Sequence, residues 1–428
     1  MRCHFIPSYL LDQIAAAEDE QIARCGHRTR EIDAALRARR AATSSTTGAT
    51  SGAAWEVYTT ANTSTLPGTL VRSAGEPDVS DVEVNEAATG VTETLALYAD
   101  LGRSSYDDKG ATVVSTVHYE KDYDNAFWDG NQLVFGDGDG KIFGRFTKPI
   151  DVLGHELSHA VTQYSANLTY SGQSGALNES ISDCFGSCVK QRHLSQDAAS
   201  ADWLIGEGIF LPTVKGVALR SMKAPGTAYD DPTLGKDPQV ASMDDYVDTQ
   251  DDDGGVHTNS GIPNKAFYLA ATAIGGTTWE GAGRIWYSAL TSGIPASTDF
   301  AGFAAACVAA AGDHAKAVAA AWQQVGVAGA SGPSPAPALP PAAAVVEVTR
   351  SGGFGGLIKR GSLDLTSDDP RAAEVSSLLE HIDFAGVREG DGAPDRYVYE
   401  FRCDPHRLRV HEAALTQDLR RLADLVLE

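Results

Sequence analysis

Several features that mark other classes of protein are scarce in this chain. Only six cysteines occur among 428 residues, at positions 3, 25, 184, 188, 307 and 403, and their spacing fits neither a zinc ribbon nor a disulfide framework. Basic residues are also few, because 34 Lys and Arg stand against 57 Asp and Glu, which gives a net charge of −23. This charge argues against a nucleic-acid partner.

Long apolar runs are absent as well. The start of the chain, Met1-Arg2-Cys3-His4-Phe5-Ile6-Pro7, has no extended apolar core and is soon followed by Asp12 and an acidic run at 18–20. We therefore expect no secretory signal, no membrane-spanning segment and no membrane partner. The expected location is the cytoplasm, or outside the cell after non-classical export; ordinary extracellular location is the second choice.

The most informative stretch present is His155-Glu156-Leu157-Ser158-His159. Two imidazoles at i and i+4 project from one face of a helix and can share a tetrahedral Zn²⁺. Glu156 follows the first ligand directly, so its carboxylate can act as a base on a metal-activated water. Apolar residues at helical spacing on both sides predict a buried helix, whereas a chance match would lie on a solvated one.

A second helix supplies the third protein ligand that catalytic zinc requires. Glu179 and Asp183 are four residues apart, so both carboxylates can point towards the first helix. Glu179 can bind the metal, while Asp183 can accept the other N–H of His155. An ordinary acidic helix start explains Glu179 poorly, because its apolar neighbours predict burial.

These motifs resemble those of the thermolysin family of zinc endopeptidases. Besides the two helices, the resemblance is carried by four segments in the same order, at residues 125–128, 134–140, 218–222 and 254–261. It extends over residues 50–327. It implies an α+β fold of two lobes: a β-rich N-terminal lobe with the zinc helix at 47–165, and a helical C-terminal lobe at 166–327.

The resemblance also implies catalytic roles. His155, His159 and Glu179 match the zinc ligands and Glu156 matches the general base. The donors to the tetrahedral oxyanion and the group that orients one of them match three further residues: Tyr170, His257 and Asp252. Physically this is a complete hydrolytic set, with a nucleophile generator, a base and an oxyanion site.

Substrate contacts follow from the same resemblance. Asn125 and the carbonyl of Ala126 match groups that hold the substrate backbone, and Arg220 matches the one that binds the carbonyl on the leaving side. The leaving-side pocket would be lined by six apolar residues: Phe143, Phe146, Val152, Ile205, Ile209 and Leu219. An uncharged pocket favours a bulky hydrophobic residue just after the scissile bond, with broad preference, since each methylene discriminates by only ~1–3 kcal/mol.

One departure from the family concerns calcium. The family's calcium site would draw on Asp151, Asp202, the backbone of Leu204 and Glu207, but Lys190 stands where another carboxylate is expected. An ammonium cannot bind Ca²⁺, although it can neutralise the same carboxylates. We therefore expect calcium binding to be reduced or absent. The alternative is that Lys190 points to solvent and the site is simply degraded.

Residues 1–46 resemble the short propeptide of protealysin-like members of the family. Apolar spacing between residues 8 and 40 predicts one or two amphipathic helices, and the Ala/Ser/Thr-rich stretch 41–48 predicts a cleavable linker. The start Ile6-Pro7-Ser8-Tyr9 is similar to that group's Pro-Pro-Tyr motif, with Ser8 replacing a proline. Such a propeptide would be an intramolecular partner that covers the cleft. Cys3 could reach the zinc, although a lone cysteine is usually not a ligand.

Beyond residue 327 the composition changes. Residues 328–344 predict an extended Pro/Ala linker, and residues 345–428 predict a small α+β domain with strands at 345–349 and 395–401 and helices at 370–381 and 412–427. The stretch 348–354 resembles emfourin, a small protein inhibitor of protealysin-like peptidases. This implies a second intramolecular, regulatory partner. An accessory domain that aids folding or binds substrate is the alternative.

Two hypotheses about function follow. The first is a zinc endopeptidase made as a zymogen, acting on protein or peptide substrates and regulated by its fused domain. The second is a catalytically idle zinc protein whose C-terminal domain works as a protease-inhibiting or binding module. An idle relative has no physical need for Glu156, Tyr170 and His257 together, so the residues favour the enzyme.

Overall fold

The computed structural model describes residues 4–41, 52, 54–327, 345–352, 359–365, 369, 371, 375, 379, 397–403, 406–412, 415 and 417–427. The chain divides into two compact units, Met1–Pro333 and Ser334–Glu428, which are described separately. Both predicted linkers lie outside the described residues, apart from Ala41. None of the described helices is long and apolar enough to cross a bilayer.

Two helices begin the first unit, as the apolar spacing predicts: α1 (Ser8–Ala15) and α2 (Glu20–Ala41). The buried face of α1 carries Leu10, Leu11 and Ile14. These side chains belong to the same hydrophobic core as the two lobes that follow, so the N-terminal segment is packed onto the unit rather than standing apart from it.

A five-stranded sheet forms the N-terminal lobe. Its strands and the helix between them are β1 (Trp55–Thr59), β2 (Thr69–Ser73), α3 (Val82–Asp100), β3 (Val113–Val117), β4 (Ala126–Trp128) and β5 (Leu133–Phe135). The strand order is β2-β1-β3-β5-β4, with parallel pairing of β1 to β3 and β3 to β5 and antiparallel pairing elsewhere. Ala126 of β4 and Asn125, which precedes this strand, form hydrogen bonds with the N-terminal segment.

Two buried helices, α4 (Ile150–Gln163) and α5 (Gly172–His193), form the centre of the first unit. They cross at two glycines. A Cβ atom on Gly186 would lie 2.6 Å from the backbone oxygen of Asp151, and one on Gly154 would lie 3.0 Å from Cα of Gly186. The missing side chains allow a close approach that brings both helices' polar residues together. Cys184 and Cys188 on α5 are free, buried thiols, as predicted.

The helical lobe follows. Short strand pairs β6 (Leu204–Ile205) with β7 (Arg220–Ser221), and β8 (Asp230–Asp231) with β9 (Gly235–Lys236), lead into five helices. These helices are α6 (Asp252–Asn259), α7 (Gly261–Ile274), α8 (Arg284–Leu290), α9 (Phe300–Ala310) and α10 (Ala315–Gln324). Stacked rings of Trp286 and Trp322 lie in the core between them. The β-rich lobe followed by a helical lobe confirms the predicted fold.

The second unit is a four-stranded antiparallel sheet with one described helix against it. Its elements are β10 (Val345–Gly352), β11 (Lys359–Asp364), β12 (Tyr397–Cys403), β13 (His406–His411) and α11 (Gln417–Leu427), in the strand order β11-β10-β12-β13. Leu419, Leu422 and Val426 of α11 share a core with Val348 and Phe401 of the sheet. The unit is α+β, as predicted.

Three details of the second unit differ from the sequence prediction. Strands β11 and β13 were missed, although Leu408 and Val410 of β13 are buried and alternate with the exposed Arg409. The last helix begins at Gln417 rather than at Glu412, whose carboxylate accepts a hydrogen bond from the backbone N–H of Tyr397, 3.3 Å away. Ser351 and Gly352, beyond the predicted end of the first strand at 349, lie in β10. Most of the predicted helix 370–381 lies outside the described residues.

Candidate active site

Three side chains converge where α4 crosses α5. Nε2 of His155 lies 3.0 Å from Nε2 of His159. Oε2 of Glu179 lies 3.5 Å from the first of these atoms, and Oε1 lies 3.5 Å from the second. All three residues are buried. Zn–N bonds of about 2.0–2.1 Å in a tetrahedron separate two ligand atoms by roughly 3.4 Å. Oε2 of Glu179 accepts no hydrogen bond from any described residue, so this donor set fits zinc in spacing, burial and chemistry.

Neighbouring side chains orient both imidazoles. Nδ1 of His155 lies 2.8 Å from Oδ1 of Asp183, as the sequence predicts. Nδ1 of His159 lies 2.8 Å from Oδ1 of Asn178 and 3.0 Å from Oγ of Ser182. With each Nδ1 held in this way, both Nε2 atoms turn towards the metal position. Asn178 and Ser182 were missed, although their spacing of four residues on α5 could have revealed them.

Asp183 is the centre of a buried charge network. Its carboxylate accepts hydrogen bonds from Nε and Nη2 of Arg220 at 2.8 and 2.7 Å and from Nδ2 of Asn264 at 2.8 Å. Burial raises the pKa of Asp183, but the charges of Arg220 and His155 outweigh burial and lower the pKa to about 2. The carboxylate is therefore a fixed anion between the guanidinium and the imidazole.

Two further polar groups face the metal position. Glu156 is fully buried, and burial raises the pKa of its carboxyl to about 7 against the opposing influence of His155. A carboxyl in this range can both take and return a proton near neutral pH. The hydroxyl of Tyr170 donates to Glu179 and lies 3.5 Å from Nε2 of His257. The structure thus brings the predicted base and oxyanion donors into one cluster.

His257 is held by Asp252 at two points. Nδ1 of the ring lies 2.7 Å from Oδ1 of Asp252, and the backbone N–H of His257 donates to Oδ2 at 2.9 Å. Residues 252–255 all have positive φ, between 51° and 91°, so the first turn of α6 is left-handed. A Cβ on Gly254 would lie 2.8 Å from the backbone nitrogen of Gly172, which requires glycine there. Burial lowers the pKa of His257, but Asp252 and Glu179 outweigh it and raise it to about 9.

The N-terminal segment lies in the cleft and contacts the predicted backbone-binding groups. The N–H of Phe5 donates to the carbonyl of Ala126 at 3.0 Å. The N–H of Ile6 donates to Oδ1 of Asn125 at 2.8 Å, and Nδ2 of the same side chain donates to the carbonyl of Ile6 at 3.3 Å. The structure therefore shows Asn125 and Ala126 binding the peptide backbone of residues 5 and 6. Cys3 lies outside the described residues.

Two further contacts fix this segment beside the metal position. Nη1 of Arg220 donates to the carbonyl of Phe5 at 3.2 Å, and Nε2 of His257 donates to the carbonyl of His4 at 3.0 Å. The guanidinium of Arg220 also lies over the Phe5 ring, 4.7 Å from its centroid. The Phe5 ring packs edge-on against His155 at 5.2 Å.

An apolar pocket encloses the Phe5 side chain, which is fully buried. A Cβ on Gly206 would lie 3.4 Å from this ring, so the pocket wall follows the ring closely. The same hydrophobic core contains all six residues predicted to line the leaving-side pocket: Phe143, Phe146, Val152, Ile205, Ile209 and Leu219. The Phe5 ring is thus buried against Gly206, His155 and Arg220, within the apolar core that also contains the six predicted residues.

Helix α2 anchors the N-terminal segment on the β-rich lobe. Asp33 accepts hydrogen bonds from the hydroxyl of Tyr123 at 2.6 Å and from Nδ2 of Asn125 at 3.0 Å. The hydroxyl of Thr29 accepts from the backbone N–H of Asp124 at 3.1 Å. These polar contacts hold α2 on residues 123–125, and Asn125 joins them to the part of the segment that lies in the cleft.

Lys190 occupies the centre of the acidic cluster behind the zinc helices. Its Nζ lies 2.7 Å from Asp202, 3.0 Å from Glu207, 3.4 Å from the carbonyl of Leu204 and 4.0 Å from Asp151. Burial lowers the pKa of Lys190, but Asp151 and Asp202 outweigh burial and raise it. The ammonium therefore lies among the carboxylates rather than in solvent.

Comparisons with known proteins agree with this geometry. Residues 29–163 match the family described as thermolysin metallopeptidase, catalytic domain, residues 166–327 match its alpha-helical domain, and residues 348–427 match emfourin. The chain is 55% identical over 241 residues to an extracellular metalloprotease of Pectobacterium carotovorum subsp. carotovorum, covering 56% of this chain and 70% of the relative. It is 50% identical over 280 residues to protease PrtS of Photorhabdus sp. (strain Az29), covering 63% and 76%.

A solved structure is similar to this chain in fold as well as in sequence. The precursor of protealysin, a metalloproteinase from Serratia proteamaculans, superposes with a TM-score of 0.70 and 48% identity, covering 76% of this chain and all of that one. Fold and site define a metallopeptidase. The chain belongs to the thermolysin family of zinc-dependent metallopeptidases, and its C-terminal unit is an emfourin domain.

Proposed function

We propose that the protein cleaves internal peptide bonds just before bulky hydrophobic residues. The observation that carries this proposal is the position of Phe5. Its ring fills the apolar pocket while its N–H and carbonyl contact Ala126 and Arg220. A substrate residue bound in the same way would place its preceding peptide bond beside His155, Glu156 and His257.

The residues of the site have three roles in this reaction: metal binding, proton transfer and stabilisation of the oxyanion. His155, His159 and Glu179 would hold Zn²⁺, which when bound supplies a Lewis acid that polarises a carbonyl and acidifies water. Glu156 takes the proton from the attacking water and passes it to the leaving nitrogen. Tyr170 and His257 donate hydrogen bonds to the carbonyl oxygen as it gains negative charge.

Positioning residues hold these groups in place. Asp252 fixes the ring of His257, and Asp183 and Asn178 fix the rings of His155 and His159. The side chain of Asn125 and the guanidinium of Arg220 hold the substrate backbone on the leaving side. Their contacts are already formed to the N-terminal segment, so the cleft is preorganised for a peptide backbone.

The proposal is tested with protein freed of residues 1–46 and peptides that differ only after the scissile bond. We expect cleavage before Phe or Leu to exceed cleavage before Asp, and chelation to abolish both until zinc is restored. Cleavage that survives full zinc removal would exclude this mechanism. Zinc binding without any cleavage would favour the idle-protein alternative, in which the emfourin domain is the active part.

We further propose that residues 4–41 keep the enzyme inactive until they leave, which makes the chain a zymogen. They occupy the groups that a substrate needs, including Asn125, Ala126 and Arg220. The relative with a solved structure is itself a precursor. Because one relative is named an extracellular metalloprotease, we propose that this peptidase also acts after export.

A cut between about residues 40 and 51 is expected during maturation. This stretch is rich in Ser, Thr, Gly and Ala, which bury little surface, so a protease can reach it easily. Mass spectrometry of the aged protein should show the cut, whereas the Glu156→Gln variant should keep the stretch intact. Equal trimming of that variant in a protease-free preparation would show that another protease is responsible.

We propose that Lys190 replaces the family's calcium ion. Adding Ca²⁺ should then barely change the free energy of unfolding, whereas Lys190→Glu should acquire a stabilisation of about 2.7 kcal/mol at 100 times its Kd. Lys190→Gln is the matched control, since it removes the charge without adding a ligand. Thermal unfolding with calcium or chelator measures the response. A large calcium-dependent stabilisation of the unaltered protein would contradict the replacement.

We propose that the emfourin domain restrains the peptidase in the same chain. The domain is tethered, so docking benefits from an effective concentration of order mM. The candidate for its contact surface is the stretch 351–354, of which Ser351 and Gly352 lie in β10 and residues 353 and 354 lie outside the described residues.

Removing residues 328–428 should raise the activity of the matured enzyme. If the separate domain binds with a Kd of about 10 µM, the gain should be roughly 100-fold, the ratio of effective concentration to Kd. The isolated domain added in trans should lower the activity again, and its Kd can be measured by titration. Unchanged activity together with no binding would instead indicate an accessory or substrate-binding role.

A further inference from the structure

Residues 4–6 lie across the catalytic centre in the direction of a substrate. The carbonyl of His4 accepts from Nε2 of His257 at 3.0 Å, and the N–H of Phe5 donates to the carbonyl of Ala126 at 3.0 Å. These two groups belong to a single peptide bond. The bond between His4 and Phe5 therefore has its oxygen at an oxyanion donor and its nitrogen at the cleft wall.

The contacts on the leaving side fix the register of residues 4–6 in the cleft. Phe5 fills the apolar pocket, and Arg220 holds its carbonyl. Both backbone polar groups of Ile6 pair with Asn125. A shift by one residue would place Ile6 or His4 in the pocket and would have to rebuild these hydrogen bonds. The register is consequently specified by side chain and backbone together.

We propose that the protein cuts its own chain between His4 and Phe5. This inference rests on the proposed peptidase function and adds a particular substrate bond to it. Water adds its oxygen to the carbonyl carbon of His4 and gives a proton to Glu156. The C–N bond then breaks, His4 keeps a carboxylate, and the nitrogen of Phe5 takes up both protons of the water and leaves as an ammonium group. No other reactant is required.

The occupied cleft also sets the order of cuts. While residues 4–6 lie at the catalytic centre, no other bond of the same molecule can enter it. The His4–Phe5 bond can be cut within one molecule, so the first-order rate constant of this cut is independent of protein concentration. A cut in the stretch 40–51 must wait until the segment leaves, or must be made by a second molecule. After the first cut, Asp33 and Thr29 of α2 still anchor the segment.

The experiment uses the full chain, purified without zinc and then supplied with zinc at several protein concentrations. Intact mass and N-terminal sequencing follow the products. We expect a chain that starts Phe-Ile-Pro to appear first, with a half-time that does not change with protein concentration. The cut between 40 and 51 should follow and accelerate with concentration. Phe5→Asp should slow the first cut roughly 100-fold, whereas Phe5→Leu should retain it.

A second measurement reports docking without catalysis. In the Glu156→Gln background, trypsin cleavage at Arg24, Arg28 and Arg30 of α2 reports whether the segment is seated. Phe5→Asp should speed this cleavage, and Phe5→Leu should leave it near the rate of the parent. Equal rates in both variants would show that Phe5 does not seat the segment and would overturn the register.

The outcomes separate this inference from the proposed function. If external peptides are cleaved but no chain starting at Phe5 ever forms, the inference fails and the peptidase function stands. If the half-time for forming that chain shortens as the protein concentration rises, the cut is intermolecular and cleavage within one molecule is wrong. If neither external peptides nor the His4–Phe5 bond is cleaved by the zinc-loaded protein, the peptidase function itself fails.

Discussion

Replacing Glu156 by Gln should lower peptidase activity by about 10²–10⁴-fold while leaving the zinc content unchanged. Glutamine has the shape of glutamate but cannot take a proton from the attacking water. The side chain is fully buried, and burial raises the pKa of the acid to about 7, the range suited to a general base at neutral pH. Turnover of a peptide with Phe after the scissile bond measures the loss.

Zinc content separates the role of Glu156 from that of a ligand. Glu179→Gln is the matched control, because the same chemical change at Glu179 weakens one of the three metal donors. We expect that control to lose zinc as well as activity, whereas Glu156→Gln loses activity alone. Normal turnover by Glu156→Gln, with contaminating protease excluded, would show that another group acts as the base.

Sequence reasoning reached the centre of the site because local spacing encodes it. His155 with His159 and Glu179 with Asp183 are each four residues apart, and helical periodicity alone places each pair on one face. The β-rich and helical lobes followed from the family resemblance, and both are present. The two residue pairs are close in sequence, which is why spacing alone could reveal them.

Other parts depend on contacts that no local pattern records. Asn264 donates to Asp183 from 81 residues away, and the contact of His4 with His257 spans 253 residues. Covering of the cleft by the N-terminal segment was predicted, but the register of Phe5 in the pocket was not. Register depends on the shape of a pocket assembled from several distant segments.

The network around Asp183 predicts the largest effect on stability. Arg220 is buried, and Asp183 is bound to its guanidinium by two hydrogen bonds of 2.8 and 2.7 Å. Removing one partner of a buried ion pair leaves the other charge uncompensated. Asp183→Ala should therefore lower the free energy of unfolding by about 3–5 kcal/mol. It should also weaken zinc binding about 10–100-fold, because His155 loses the group that orients it.

Two comparisons separate charge from orientation in this prediction. Asn178→Ala removes the group that orients His159 but leaves no buried charge uncompensated. Zinc binding should therefore weaken, while the free energy of unfolding changes by only about 1 kcal/mol. Adding Arg220→Met to Asp183→Ala removes the stranded charge and should restore much of the stability, without restoring the zinc affinity. Urea unfolding and competition with a chelator measure the two quantities. A loss below about 1 kcal/mol in Asp183→Ala would mean that water or a neighbouring residue compensates Arg220, and the carboxylate would then act mainly through His155.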